Sequence, residues 1–326
     1  MHWLDRAFYL AVPRQPFFAG GWGDEAVVRD ISVEGARERP AAPVEMTWGP
    51  ERLAGGGLLR EGAFESPEER LPAAVRRARV RMLRPAFRET RAVCLHFASS
   101  GDQGFAMRLR LAAPLLDAGI AALVLENPYY GARRPKGQPG GAIRTVSDMV
   151  LMATATVREG RSLLAWLEAQ GHRRLGVAGY SMGGQMCAMV AVMWPRPLAV
   201  AALAPSDSPA SVFTEGLLRM HPCWDALRRP GGSADSARAE LRELFLRYAV
   251  SALPPPVEPR AAVVVANRRD GVVPPAEGER IARHWGCELR WLGGGHVSAV
   301  VLEQAALRRA VADAFAGLPG EVRAAV

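Results

Sequence analysis

From residue 91 onward the chain alternates between short, continuous apolar runs and longer segments in which apolar residues recur at helical spacing. Runs without polar alternation are typical of strands buried on both faces of a sheet. The alternation predicts an α/β fold with an open, mostly parallel central sheet flanked by helices. The predicted strands are 92–97, 121–125, 175–178, 199–204, 261–266 and 288–292, and the predicted helices are 104–118, 147–170, 182–193, 276–285 and 297–316.

The first 90 residues have a different pattern. Apolar and charged residues alternate over 74–83, and a second short run covers 62–67. Because alternation gives a strand one solvated face, both are predicted to be strands at an antiparallel edge of the sheet. Residues 35–62 are rich in Gly, Pro and Ala and are interpreted as irregular connection. An aromatic, amphipathic start is expected to dock on the core, with a lipid surface as the alternative. Its apolar residues are Leu4, Phe8, Tyr9, Phe17, Phe18 and Trp22.

One interval is longer than a crossover helix requires. It follows the predicted strand at 199–204 and has helical patterns around 209–220 and 237–250. We interpret it as a helical cap, since lids exclude water and shape substrate choice; the alternative is an insertion without a function. The predicted organisation is an N-terminal extension with antiparallel edge strands at 1–90, an α/β core at 91–206 and 256–326, and a cap at 207–255.

The formal net charge of +8 and the pI of about 10.0 raise the question of an anionic partner. Only one of the 41 basic residues is a lysine, Lys136, and the remainder are arginines. Together with abundant Ala, Gly and Pro, this bias is typical of a GC-rich genome. The charge therefore does not predict a nucleic-acid partner, and the chain is interpreted as bacterial. Peripheral membrane contact stays open as an alternative, and no oligomeric state is predicted.

Four widely separated cysteines argue against a disulfide framework or a zinc site. The histidines also lack metal-binding spacing, so neither a metal nor a cofactor is predicted. The N-terminal apolar run is interrupted by charged residues and prolines, unlike a secretory signal. No apolar run reaches the roughly 18 to 20 residues of a membrane span. A soluble, cytoplasmic protein is therefore expected.

The candidate chemistry starts at Ser181, which follows a predicted strand and precedes a predicted helix. Gly179 and Gly183 stand two positions before and two after it. This is the pattern of a nucleophile elbow, where small residues are needed because strand and helix backbones nearly touch. Ser181 is thus the candidate nucleophile.

A serine nucleophile needs a base, and the base needs an orienting group. Among six histidines, only His296 combines a strand-end position, three preceding glycines and a following helical pattern. Asp270 follows the predicted strand at 261–266, 26 residues before the histidine, and is the candidate acid. The order serine, acid, histidine is that of α/β-hydrolases. Asp207 and Glu126 also follow predicted strands and are alternatives for the acid.

Acyl transfer also requires donors to the developing oxyanion. The backbone N–H of Met182 is one candidate, and the loop after 92–97 supplies the other. Ala98 is the first choice for that second donor. Ser99 is its alternative and is also assigned to substrate binding. His96, at the end of that strand, is interpreted as bracing the loop.

Tyr129 and Tyr130 follow the next predicted strand, at the same sheet edge as the serine. With the three cations that follow, they are assigned to an acyl or phosphate pocket. The alternative is that the aromatic rings are packed and the cations solvated. The cations are Arg133, Arg134 and Lys136.

These residues predict a serine esterase or acyl hydrolase acting on a small-molecule or lipid ester. Two alternatives are kept: hydrolysis of lipid esters at a membrane surface, and a catalytically silent module that binds a small apolar ligand. A complete serine, histidine and aspartate set argues against the silent module, which has no need of all three groups.

Several strings along the chain, the elbow among them, form a recognisable set. They are Phe17-Phe18 to Gly20-Gly21-Trp22-Gly23, Phe64-Glu65-Ser66-Pro67, His96 to Gly101-Asp102, Leu125-Glu126-Asn127-Pro128-Tyr129-Tyr130-Gly131, Val146-Ser147-Asp148, Ser181-Met182-Gly183-Gly184, Trp194-Pro195 and Val212-Phe213-Thr214. Together they resemble the family of α/β-hydrolase domain-containing protein 18, and the resemblance covers most of the chain. It implies the α/β-hydrolase fold and a triad of Ser181, Asp270 and His296. The chain departs from the family in its shortened cap and arginine-rich composition, so organelle or lipid associations of eukaryotic members are not carried over.

Overall fold

The computed structural model describes residues 2–11, 16–30 and 40–320. Across these residues one sheet contains ten strands. They are β1 (Thr47–Trp48), β2 (Arg52–Ala54), β3 (Gly57–Glu65), β4 (Arg77–Arg84), β5 (Ala92–Phe97), β6 (Ile120–Leu125), β7 (Leu175–Tyr180), β8 (Ala199–Leu203), β9 (Ala262–Asn267) and β10 (Glu288–Leu292). Their order is β1-β3-β4-β6-β5-β7-β8-β9-β10, and β2 pairs with β3.

The helices lie between and around these strands. They are α1 (Trp3–Ala11), α2 (Glu25–Asp30), α3 (Ala73–Arg76), α4 (Ala106–Ala112), α5 (Val146–Ala169), α6 (Met182–Val192), α7 (Pro209–Thr214), α8 (Trp224–Leu227), α9 (Ala234–Leu246), α10 (Pro275–Trp285), α11 (His296–Leu302) and α12 (Gln304–Ala316). Within the described part of the chain, no helix is both long and apolar enough to cross a membrane.

Strands β5 to β10 pair in parallel, which confirms the predicted α/β class. Alternate residues of one strand pack in different hydrophobic clusters. Val93 and Leu95 of β5 pack in the cluster that contains residues of α5, α6 and α10. Ala92 and Cys94 pack in the cluster that contains residues of α12. Both faces of the central strands are therefore covered, as their continuous apolar runs require.

Strand β10 is the exception to the prediction of burial on both faces. It is partly exposed because it is the edge strand and pairs only with β9. Arg290 uses the exposed position to form ion pairs with Glu288 and Asp313, both at 2.7 Å.

The antiparallel edge was predicted, but its extent was not. Strand β3 pairs antiparallel with β4, and β4 pairs antiparallel with β6. The interpretation of 35–62 as irregular is wrong over 47–62, because β1, β2 and the start of β3 lie there; residues 35–39 lie outside the described ranges. Gly55 and Gly56, with φ of 62° and 80°, turn the chain between β2 and β3. The glycine-rich composition of this segment belongs to the turn of a β-hairpin formed by β2 and β3.

Two helices of the structure differ from the predicted ones in where they end or break. The helix expected over 104–118 is α-helical only to Ala112 and continues as 3₁₀ helix, with Pro114 at the junction. The helix expected over 297–316 is two helices separated at Glu303. Glu303 has φ −112° and ψ 25°, outside the helical range, and its carboxylate accepts the N–H of Gly294 at 3.0 Å.

The N-terminal aromatic residues and the insertion share a second hydrophobic cluster. Phe17, Phe18 and Trp22 are buried, as expected for docking on the core. The Phe213 ring of α7 lies 5.2 Å from Phe17 and 5.4 Å from Phe18, centroid to centroid. The rings of α7 and the N-terminal segment therefore hold the insertion in place. The side chains of Phe8 and Tyr9 lie outside the described residues.

Candidate active site

Ser181 occupies the turn between β7 and α6. Its backbone has φ 59° and ψ −122°, a conformation that L residues rarely adopt. The Ser181 N–H donates to Leu203 O at 2.8 Å, which holds the turn against β8. The side chain is 8% exposed. The strained turn thus presents one hydroxyl at the carboxyl end of the sheet, where ligands bind in such folds.

Glycine is required on both sides of this turn. A Cβ on Gly179 would collide with the backbone of Gly183. A Cβ on Gly183 would lie 2.5 Å from Phe97 O and 2.9 Å from Ala98 O. The close approach of three backbone segments explains the glycine pattern in physical terms.

His296 and Asp270 complete a hydrogen-bonded chain with the serine. His296 is the first residue of α11, after the glycine loop that follows β10, and Asp270 lies in the loop after β9. The imidazole Nε2 lies 2.8 Å from Ser181 Oγ, and Nδ1 lies 2.7 Å from Asp270 Oδ2. Three residues separated by up to 115 positions are brought together at one sheet edge.

The environment of Asp270 keeps its carboxylate ionised. Burial alone would raise the pKa of Asp270, but His296 and the surrounding hydrogen bonds lower it below its usual value. Its Oδ1 accepts the N–H groups of Val272 and Val273 at 2.8 and 2.9 Å. An ionised Asp270 accepts a hydrogen bond from the Nδ1–H group of His296, so the lone pair of Nε2 faces the Ser181 hydroxyl.

Two further side chains hold this arrangement, and sequence reasoning missed both. The Tyr180 hydroxyl donates to His296 O at 2.6 Å. The Asn267 side-chain amide donates to Tyr180 Oη at 2.9 Å and to Asp270 Oδ2 at 3.1 Å. Tyr180 precedes the serine and Asn267 ends β9, so their positions were visible in the sequence, but nothing there indicated that they meet.

A third missed residue is Asp5 of α1. Its carboxylate is fully buried and accepts the backbone N–H groups of His296 and Val297 at 2.7 and 3.0 Å. No periodicity or motif connects positions 291 residues apart in the chain.

The loop after β5 runs against the first turn of α6. Gly183 is the contact point, since its Cα faces the carbonyls of Phe97 and Ala98. Met182 and Ala98, the predicted oxyanion donors, therefore lie on facing segments beside Ser181. His96 is buried in β5, consistent with a bracing role.

Tyr129 and Tyr130 are buried rather than lining the cavity described below. The Tyr129 hydroxyl donates to Asp148 Oδ1 at 2.9 Å, and Tyr130 Oη lies 4.0 Å from Met182 Sδ. Among the described cavity residues, neither tyrosine appears, nor does Ser99; Ser100 does. The rings of Tyr129 and Tyr130 are part of a hydrophobic cluster, and the assignment of these two residues and Ser99 to substrate binding stays a prediction.

Arg133 is also buried, against the expectation that the three cations are pocket-lining or solvated. Its guanidinium pairs with Glu159 at 2.6 Å and donates to Val75 O and Glu126 O. The alternative acids have other partners. The carboxylate of Asp207 accepts from Ser251, and that of Glu126 accepts from Ala132 N.

A cavity of about 1580 Å³ reaches Ser181. The segment 40–47 and the insertion form parts of its wall, the latter through Phe213 and Phe245. Charged residues lie at another part of the wall, among them Glu68 and Arg158, which form an ion pair at 3.0 Å. Methionines are prominent in the lining, and their unbranched side chains adapt to irregular ligands. They are Met46, Met149, Met152, Met182, Met186, Met189 and Met193.

Over residues 2–11, 16–30 and 40–320, no group of three or more His, Cys, Asp or Glu side chains is arranged to hold a metal ion.

Comparison with known proteins supplies the wider context. The family model described as "Alpha/beta hydrolase domain containing 18" matches residues 15–240 and 231–317. The fold is similar to that of an acetyl xylan esterase from Paenibacillus sp. R4, with a TM-score of 0.59 and 14% identity, over 92% of this chain and 97% of the other. It is also similar to acetyl xylan esterase 1 from Thermoanaerobacterium sp. JW/SL YS485, with a TM-score of 0.56 and 13% identity, over 86% and 99% of the two chains. At such identities the likeness shows the α/β-hydrolase fold alone.

Proposed function

The chain belongs to the α/β-hydrolase domain containing 18 family, and from that premise we propose that it is a serine hydrolase that cleaves carboxylic esters. The observation that carries the proposal is the hydrogen-bonded chain from Ser181 Oγ through His296 to Asp270. A buried serine in a strained turn, a base at 2.8 Å and an ionised orienting group are what nucleophilic catalysis requires.

The reaction begins with attack of Ser181 Oγ on the ester carbonyl carbon. The serine proton passes to His296 Nε2 as the new C–O bond forms, and the carbonyl π electrons move to the oxygen. Asp270 stabilises the imidazolium through Nδ1 without taking the proton. The backbone N–H groups of Met182 and Ala98 are assigned to the oxyanion, a contribution of about 3 to 4 kcal/mol per donor.

Collapse of the tetrahedral intermediate breaks the bond to the alcohol. His296 Nε2 returns its proton to the departing alkoxide oxygen, and an acyl-enzyme on Ser181 remains. A water molecule then attacks the acyl carbon while His296 again removes a proton. Its return to Ser181 Oγ releases the carboxylic acid and restores the enzyme.

The cavity supports an ester with a bulky apolar group. Its volume of about 1580 Å³ exceeds what an acetyl group fills, and its wall carries many apolar side chains. The same observation favours the alternative of a lipid acyl hydrolase acting at a membrane surface. The length of the acyl chain is therefore the property to measure.

A fluorophosphonate probe and an ester series test the proposal. We expect the wild-type protein to be labelled and the Ser181→Ala variant to remain unlabelled, because phosphonylation needs the activated hydroxyl. Persistent labelling of Ser181→Ala would overturn the assignment of the nucleophile. Absence of both labelling and hydrolysis in the wild type would favour the silent binding module.

The ester series consists of p-nitrophenyl esters of increasing acyl length. With a large apolar cavity we expect kcat/KM to rise from acetate to medium-length acyl groups, at about tenfold for each two methylene groups that become buried. A maximum at acetate would show that the cavity does not hold the acyl group.

A further inference from the structure

Helix α1 reaches the histidine loop through one carboxylate. Asp5 is fully buried although its neighbours Arg6 and Ala7 are exposed. Its two oxygens take different donors: Oδ2 accepts from His296 N at 2.7 Å and Oδ1 accepts from Val297 N at 3.0 Å. These N–H groups begin a helix and have no acceptor within it. Hydrogen bonds to an ionised acceptor are stronger than those between neutral groups.

The glycine loop fits this carboxylate closely. A Cβ on Gly295 would collide with the carboxyl group of Asp5. The residue before this helix also contacts the acid loop, since His2 N donates to Arg269 O at 3.1 Å, next to Asp270. Helix α1 and His2 together therefore touch both loops that carry the base and its orienting acid.

The backbone of His296 is held on both sides. Asp5 accepts from its N–H, and the Tyr180 hydroxyl donates to its carbonyl. With the backbone fixed in this way, the imidazole spans the distance between Ser181 and Asp270. Displacement of a catalytic group by about 1 Å reduces rates by about 100-fold.

We propose that Asp5 is a positioning residue that holds the backbone of His296 in register with Ser181 and Asp270. The inference rests on the proposed function, since it assigns Asp5 a part in the same reaction. Asp5 contacts no reacting atom. It acts through the main chain of the histidine, and helix α1 becomes part of the active-site framework.

The first test compares Asp5→Ala, Asp5→Asn and the control Arg6→Ala, which removes an exposed side chain from the same helix. Two readouts are used at a temperature where every variant is folded by circular dichroism: the rate of fluorophosphonate labelling, and kcat and KM for p-nitrophenyl butyrate. We expect Asp5→Ala to lower kcat and the labelling rate by about 10- to 100-fold with little change in KM. Arg6→Ala should match the wild type.

Asp5→Asn should lower kcat and the labelling rate less than Asp5→Ala does. Its single amide oxygen can accept from one of the two N–H groups, whereas its NH₂ group faces the other. A merely structural role predicts a lower melting temperature with unchanged kcat and labelling rate in the folded variants. That result would overturn the proposal, as would a loss confined to KM.

A second test approaches the same contact from Gly295, and a folded Gly295→Ala variant that is labelled at the wild-type rate would contradict the proposal even if Asp5→Ala folds poorly. Gly295→Ala places a methyl group against the Asp5 carboxylate and should lower the labelling rate on its own. In an Asp5→Ala background the collision is removed, so the same substitution should add little. Strictly additive losses would contradict the contact on which the proposal rests.

The two proposals fail in different ways. If Ser181→Ala is still labelled, the proposed function fails whatever Asp5 does. If Ser181→Ala is silent and folded Asp5→Ala reacts at the wild-type rate, only the positioning role is lost.

Discussion

At the scale of single residues, His96 shows how burial selects one protonation state. It lies in β5, is 1% exposed, and its Nε2 has no hydrogen-bond partner within the described residues. Burial, assisted by the positive charge of Arg108, lowers the pKa of His96 to about 3. The imidazole is therefore neutral in the folded protein, which fits a packing role beside the loop that carries Ala98.

This environment makes stability depend on pH. The pKa of His96 is lower in the folded state than its ordinary 6.5, so below pH 6.5 the unfolded chain binds the proton more readily. Stability from the neutral imidazole is present above pH 6.5 and is lost as the pH falls towards 3. We expect the free energy of unfolding, measured with urea, to fall by about 1.4 kcal/mol more per pH unit in the wild type than in His96→Gln as the pH is lowered through this window. Parallel pH profiles for the two proteins would contradict this prediction.

At the scale of elements, the elbow depends on how closely β7, α6 and the loop after β5 approach one another. Gly183 lies where the first turn of α6 meets the carbonyls of Phe97 and Ala98. A side chain there would have to push apart the segments that carry Ser181 and Ala98. The spacing of these backbones positions both Ser181, the proposed nucleophile, and the loop assigned to the oxyanion.

Gly183→Ala should therefore impair the site and the fold together. Its Cβ would lie 2.5 Å from a carbonyl oxygen, a contact that backbone movement must relieve, and we expect a loss of about 2 to 4 kcal/mol in the free energy of unfolding. Fluorophosphonate labelling should fall at least tenfold. The matched control is Gly104→Ala, in the same loop region but with open space around the added methyl group. Equal behaviour of the two variants, measured by urea unfolding and labelling, would show that the close approach is unimportant.

At the scale of the whole molecule, the buried pair of Arg133 and Glu159 connects three parts of the fold. The two side chains are 1% and 0% exposed. Arg133 extends from the loop after β6 to Glu159 on α5, and its Nε donates to Val75 O of α3. The guanidinium thereby holds the antiparallel edge, the core sheet and the longest described helix together.

Removal of one partner of this ion pair should lower the free energy of unfolding more than removal of both. Arg133→Met leaves the Glu159 carboxylate buried without its counter-charge, and we expect a loss of about 3 to 5 kcal/mol in the free energy of unfolding. The double variant Arg133→Met with Glu159→Leu should recover part of that loss, because no uncompensated charge remains. Unfolding by urea at constant pH is measured for the wild type, Arg133→Met, Glu159→Leu and the double variant. If the double variant is as unstable as the sum of the single variants, the two groups do not act as a pair.

A site residue could be predicted from the sequence where a local pattern of neighbouring residues marks it. Ser181 has glycines at fixed spacing, and Asp270 and His296 each follow a strand in the expected chain order, so local patterns pointed to them. Tyr129 and Tyr130 follow a strand as well, yet their rings lie in a hydrophobic cluster. A strand-end position indicates an edge of the sheet, and it does not indicate the direction of a side chain.

The sequence by itself determined the strand and helix alternation, the parallel sheet and the elbow, because periodicity and glycine spacing are local properties of the chain. Only the tertiary structure decided that Asp5 caps the His296 backbone, that Asn267 joins Tyr180 to Asp270, and that Arg133 is buried against Glu159. Such contacts depend on the packing of segments far apart in the chain. Packing places a side chain by the space and the partners available in three dimensions, and these leave no periodic trace in the sequence.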